Sequence, residues 1–139
     1  MATRSTRVVS GAGFVADEHS VDLLPTGRQI DWDAVDESYA DADTGKKVVP
    51  AGTVMYEVTP GGKMAPADED GAAPADERVL GLLRTNAIEG DKSAATSGYG
   101  VIIGGAIYED LLPVPGQVAG LADVGKGFAF YPYSDDRVS

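Results

Sequence analysis

Tyr99-Gly100-Val101-Ile102-Ile103-Gly104-Gly105-Ala106-Ile107-Tyr108-Glu109-Asp110-Leu111-Leu112-Pro113 is the longest apolar run in the chain. Val101, Ile102, Ile103 and Ile107 are β-branched, stiff at χ1, and suit a pleated buried surface better than a helix. Each of the paired glycines would cost a helix interior about 1 kcal/mol, whereas in a strand glycine marks a bulge or bend. The stretch therefore predicts strand over Gly100–Ile103 and Ala106–Tyr108, on either side of a kink at Gly104-Gly105. Pro113, with no amide hydrogen for a ladder, ends it.

Working outward, β patterning holds from Lys46 onward. Thr53-Val54-Met55-Tyr56-Glu57-Val58 alternates, placing Val54, Tyr56 and Val58 on one face. Pro60-Gly61 suits the centre of a type II turn, and Lys63-Met64-Ala65 returns as the partner strand. Ala67–Glu77 is an acidic Pro/Ala loop. Val79-Leu80-Gly81-Leu82-Leu83 is a short strand with a glycine inside it, and Ala87-Ile88 extends the same sheet. After a polar loop over Asp91–Gly98 comes the opening stretch. Pro113-Val114-Pro115-Gly116 forces a turn, and Phe128-Ala129-Phe130-Tyr131 is the last strand.

The first 45 residues differ. Phe14-Val15 and Val21–Leu24 are apolar islands too small to offset their own ordering cost, so they must lie against this domain or a partner. Asp31–Tyr39 is the one segment with helical spacing: Asp31 caps it, and Trp32, Val35 and Tyr39 share a face. At this length it needs tertiary contacts to form.

Composition bounds the function. A chain of 139 residues is one domain that can hold its own core, here with an added arm. With 22 acidic against 11 basic residues and a net charge of −11, the surface repels phosphate backbones and anionic lipid. Nucleic acid and membrane are therefore not expected partners. Cysteine is absent, which removes disulfides, thiolate metal sites and a cysteine nucleophile. The 18 glycines and 8 prolines fit a turn-rich β protein and stop short of a low-complexity composition.

Residues with catalytic or ligand chemistry form no complete set. Gly120-Leu121-Ala122-Asp123-Val124-Gly125-Lys126-Gly127 lacks the final Ser or Thr of a phosphate loop and leads into a strand where such a loop opens a helix. Asp68, Asp70, Gly71 and Glu77 match positions of a calcium loop, but Pro66 stands at its first position and no helix flanks it. The one histidine, His19, sits beside Asp17 and Ser20 in a polar stretch, and sequence neighbours rarely make a triad. Neither a cofactor, a metal nor catalytic activity is expected.

Four segments carry a resemblance: Val48-Val49-Pro50-Ala51-Gly52-Thr53-Val54-Met55, the Gly61-Gly62-Lys63-Met64 turn, Val79-Leu80-Gly81-Leu82-Leu83, and Gly104-Gly105-Ala106-Ile107-Tyr108-Glu109-Asp110-Leu111-Leu112-Pro113. In order and spacing, residues 46–113 resemble the head decoration (cement) proteins of tailed bacteriophages, the group typified by the lambda decoration protein. The resemblance implies a mainly β, small, barrel-like domain over 46–139 with an N-terminal arm before it; residues 1–45, with at most one short helix, take the place of that arm and are longer than the family's type member suggests. It implies a homotrimer at local three-fold positions on the outside of an icosahedral capsid, bound to the major capsid protein and without catalytic residues. Such a protein is made in the host bacterial cytoplasm and ends on the virion exterior.

The capsid-binding candidates are Thr3, Arg4, Ser5, Thr6, Arg7, Val8 and Val9. They form an isolated β-capable run, basic within an acidic protein, joined on by Gly11-Ala12-Gly13. An added strand on a capsid sheet edge fits them; the other reading is an unstructured tail. Two further classes stay open. One is a phage tail or cell-surface module binding glycan or protein, and the other a small β enzyme grouping carboxylates such as Asp31, Asp33 and Asp36.

Overall fold

The apolar run forms the central strand of the molecule. The computed structural model describes residues 13–16, 20–58, 62–74, 77–90, 98–121 and 127–132. Its strands are β1 (Asp22–Leu23), β2 (Val48–Val49), β3 (Val54–Val58), β4 (Lys63–Pro66), β5 (Arg78–Leu83), β6 (Ala87–Ile88), β7 (Val101–Tyr108) and β8 (Gly127–Tyr131). The main sheet has the order β1-β7-β5-β3-β4, all antiparallel, and β8 lies parallel to the second half of β7. The protein is mainly β, as its sequence predicts, and no α-helix occurs among the described residues.

The N-terminal segment closes this sheet. Ala16 and Leu24 donate backbone hydrogen bonds to Ala106 and Val101, and Arg28 exchanges a pair with Tyr99, so the described residues 14–16 and 20–28 run along one edge of β7 and of the residues just before it. One step later the same segment turns its other side to β4: Met64 N–H donates to Gln29 O and Asp31 N–H to Met64 O, each at 2.9 Å. Hydrogen bonding thus runs full circle through residues 28–31, β7, β5, β3 and β4. Closure removes the open edges that a sheet otherwise presents. The apolar islands Phe14-Val15 and Val21–Leu24 lie against this domain, and Phe14, Ile30 and Val35 are buried in it.

Two apolar clusters occupy opposite faces of the strands. Met55, Met64, Leu80, Leu83, Val101 and Ile30 gather on one side, with Val49, Ala87 and Val35. Val54, Leu82, Ile102 and Ile107 gather on the other, under Phe14, Leu112 and Leu121. Val54 and Tyr56 share a face as the alternation predicts, yet Met55 between them is fully buried as well. Each large side chain removed from water in this way contributes about 1.5–3 kcal/mol.

Bulges at the predicted glycines decide which face each residue takes. In β5, Met55 pairs with Gly81 and Tyr56 with Val79, so Leu80 is the extra residue. Leu80 and Leu83 consequently share one cluster and Val79 and Leu82 the other, a spacing of three that regular alternation forbids. A side chain at Gly81 would meet the Ile102 carbonyl. The expected kink at Gly104-Gly105 is a change of parity inside one continuous strand: Gly105 has φ +133°, and Ile102 and Ile107 reach the same cluster.

Two expectations are corrected. The segment Asp31–Tyr39 is two 3-10 turns, Trp32–Ala34 and Glu37–Tyr39, with Val35 and Asp36 extended between them. Asp31 and Asp36 each accept a bond from the amide two residues on, so each caps its own short turn. Lys47 Nζ donates to the Trp32 carbonyl at 2.9 Å, occupying an acceptor that a continuing helix would use. Ala87-Ile88 does not extend the main sheet, because it pairs with β2 in a separate two-stranded sheet. The expected turn over Pro113-Val114-Pro115-Gly116 leads into a 3-10 segment, Pro115–Leu121. The proposed turn centre Pro60-Gly61 lies outside the described residues.

Candidate functional site

Predicted site residues fall into three places. Thr3, Arg4, Ser5, Thr6, Arg7, Val8 and Val9 lie outside the described residues, as do Asp17 and His19. Ser20, their neighbour, accepts a bond from the Ala106 amide at 3.0 Å and so pins the N-terminal segment to β7. Asp31 and Asp36 cap their turns, while Asp33 is exposed. Hydrogen bonds from Ser38 hold the Asp36 carboxyl below its ordinary range.

The acidic loop after β4 is organised by its own backbone. Gly71 N–H donates to Asp68 O, Asp68 N–H to Ala72 O, and the Asp70 carboxylate accepts from the Ala72 amide at 3.1 Å. Strands β4 and β5 flank this loop where a calcium loop has helices. Among the described residues no three acidic or histidine side chains come together as a metal site. No helix among them is long and apolar enough to cross a membrane.

A buried glutamine fastens the loop from behind. Gln117 is 1 % exposed. Its Oε1 accepts from the Val54 amide at 3.0 Å, and its Nε2 donates to the carbonyls of Ala67 and Asp68 at 3.1 and 3.0 Å. Beside it the backbones of Gly71 and Gly120 touch, so closely that a Cβ on either would overlap the other segment. Gly120, read in sequence as part of a near phosphate loop, therefore serves a packing contact, and β8 follows that loop where a phosphate loop needs a helix. Neither Gln117 nor the glycine pair carries a sequence signal, since both act across the fold.

The remaining surface feature is β8. On one side it pairs with β7 from Gly104↔Gly127 to Tyr108↔Tyr131; on its other side no strand lies among the described residues. Phe128 and Phe130 stack at 5.8 Å and turn toward the second cluster. Tyr131 is 49 % exposed, and Leu111 beside this end of the sheet is 39 % exposed. Phe14 sits across β7 from Tyr131, because Tyr108 N–H donates to Phe14 O while Tyr108 pairs with Tyr131.

Comparison with protein-family models, curated proteins and solved structures gives no match to this chain.

Proposed function

We propose that the protein is a structural decoration protein of a tailed-phage head, trimeric, bound to the major capsid protein on the outer surface of the capsid. The observation that carries this reading is the ordered resemblance over residues 46–113. Its four segments hold β2, the first two residues of β3, the start of β4, most of β5 and the second half of β7, and of these β4, β3, β5 and β7 are consecutive neighbours around one closed sheet. The segment the resemblance leaves variable is the acidic loop between β4 and β5, at the surface. A closed β body preceded by a basic run is suited to gripping a larger assembly.

In this reading Thr3–Val9 adds as a strand to a capsid sheet edge, and Arg4 and Arg7 meet capsid carboxylates. Four or so backbone bonds at about 1 kcal/mol net each contribute on the order of 4 kcal/mol per arm before ordering costs. Three arms on one trimer multiply the effect through local concentration. Light scattering should give about 43 kDa, three times the 14.4 kDa chain. The chain should cosediment with expanded capsids, and deleting residues 2–10 should leave melting unchanged while weakening capsid binding at least about a hundredfold. A 14 kDa species in solution and on the capsid, or affinity for host envelope in place of capsid, overturns the reading.

A further inference from the structure

We infer that Arg28 and Arg78, at one end of the closed sheet, form a docking point for a single carboxylate of a partner protein. The inference does not depend on the partner being a capsid.

The ends of three elements build this point. Glu57 pairs with Met64 of β4 and with Arg78 of β5, one step before the end of β3. Alternation puts its side chain on the face of Met55 and Met64, where it is 20 % exposed. Arg28 reaches it from the segment between β1 and β4: Nη1 donates to Glu57 Oε2 at 2.6 Å and to the Gly62 carbonyl at 2.7 Å. Arg78 Nη2 stands 3.5 Å from the other oxygen, Oε1, too far for a strong hydrogen bond.

Two guanidiniums thus share one carboxylate, and most of their donors are unspent. Both side-chain bonds of Arg28 come from Nη1, and its Nε is buried with no hydrogen-bond partner among the described residues. A buried donor without a partner is costly, and one retained in a folded protein calls for a ligand, ion or water. Nε and Nη2 of a guanidinium lie side by side, as a fork that fits both oxygens of a carboxylate. The Arg78 side chain is 67 % exposed, and Glu57 is its one ion-pair partner among the described residues. With a carboxylate at this end, the Arg28 fork turns to it while Glu57 stays bonded, and Arg78 closes over it from the solvent side.

Charge selects the partner. Glu77 and Asp31, the neighbouring acids along the chain, act on the Tyr56 phenol, which packs on the opposite face of β3. Two guanidiniums against one carboxylate leave a local positive excess in a chain of net charge −11. The surrounding field repels a polyanion and admits an isolated carboxylate set among neutral or basic groups. The partner segment is therefore an aspartate or glutamate with lysine or arginine beside it.

The arginine Nε–H signals in heteronuclear NMR test this. The probe is a short peptide with one glutamate between two lysines, and the control is the same peptide with glutamine in place of glutamate. The glutamate peptide should shift the Arg28 and Arg78 signals and bind at least about tenfold tighter than the control. Arg78→Gln, at an exposed side chain, should weaken that binding at least about fivefold, while Lys46→Gln, which removes the same charge from the loop before β2, should change it less than about twofold. Glu57→Gln leaves Arg28 an acceptor but removes the competing charge, so it should bind the peptide more tightly. Equal binding of the two peptides overturns the inference. So does equal weakening by Arg78→Gln and Lys46→Gln, which marks general charge attraction. Inorganic phosphate that shifts both signals in preference to the peptide at matched ionic strength overturns it too, since the ligand is then a phosphate group. None of these measurements involves a capsid, so the proposed function keeps its own separate test.

Discussion

Gln117 shows how one residue can hold a fold that its neighbours do not specify. A seven-residue 3-10 segment is longer than its hydrogen-bond geometry favours. Three bonds from one buried side chain tie it to β3 and to the acidic loop. Gln117→Leu keeps the volume but takes the partner from the Val54 amide and the Ala67 carbonyl, and leaves the Asp68 carbonyl with the Gly71 amide alone. Orphaned buried groups cost about 1–3 kcal/mol each, so thermal melting should show a loss of at least about 2 kcal/mol. Tyr56 offers a residue-scale pH dependence. Burial first, then the charges of Glu77, Asp31 and Asp68, raise its phenol above the ordinary 10.0. The folded state therefore keeps that proton longer than the unfolded chain does. Its contribution is complete below pH 10 and is lost as pH rises through the folded value. Tyr56→Phe should flatten the alkaline fall in stability, as read by denaturant melts at rising pH, and leave the neutral region little changed.

Among the elements, the segment joining β1 to β4 carries the closure, and Arg28 is its fastening. The Arg28 guanidinium donates to Glu57 at 2.6 Å and to the Gly62 carbonyl at 2.7 Å, linking the segment to β3 and to the start of β4. Arg78 stands 3.5 Å from the other oxygen of Glu57. Arg28→Met removes two charge-assisted bonds but also a buried Nε that has no partner among the described residues. The net loss expected is about 1–2 kcal/mol, visible as a lower melting temperature. Exchange at the Tyr99, Met64 and Asp31 amides should rise with it, because those bonds depend on the same segment. A loss of stability without faster exchange at these amides would show that closure does not rely on Arg28.

At the scale of the whole molecule, the excess of acid shapes behaviour more than any single site. A net charge of −11 keeps copies apart in dilute salt and makes association salt-dependent. The acidic loop after β4 is exposed but internally bonded, with the Asp70 carboxylate already accepting the Ala72 amide. Calcium or a chelator should therefore leave the melting temperature unchanged. A ligand at a hundred times its dissociation constant would add about 2.7 kcal/mol, so a rise of several degrees with calcium would reveal a bound ion.

The strands were legible in the sequence because their causes are local. The β-branched run at 101–107, the alternation through 53–58, and the glycines at 81 and 104–105 each act on the chain within a few residues, and β3, β4, β5, β7 and β8 follow from them. The helical spacing at 31–39 was misleading for a reason that lies elsewhere: Lys47 takes a carbonyl the helix needs, and two aspartates start separate turns. Tertiary structure alone decided the rest. That both faces of β3 are buried depends on closure by residues 28–31 and on the cover given by Phe14 and Leu121. The bonds of Gln117 span 49 to 63 residues, and no local pattern marks a side chain whose partners are brought to it only by folding. That β8 joins β7 in parallel, beyond the end of its pairing with β5, is likewise a property of the assembled sheet. Periodicity says that a segment pairs, but which edges remain after all pairs have formed is settled by topology.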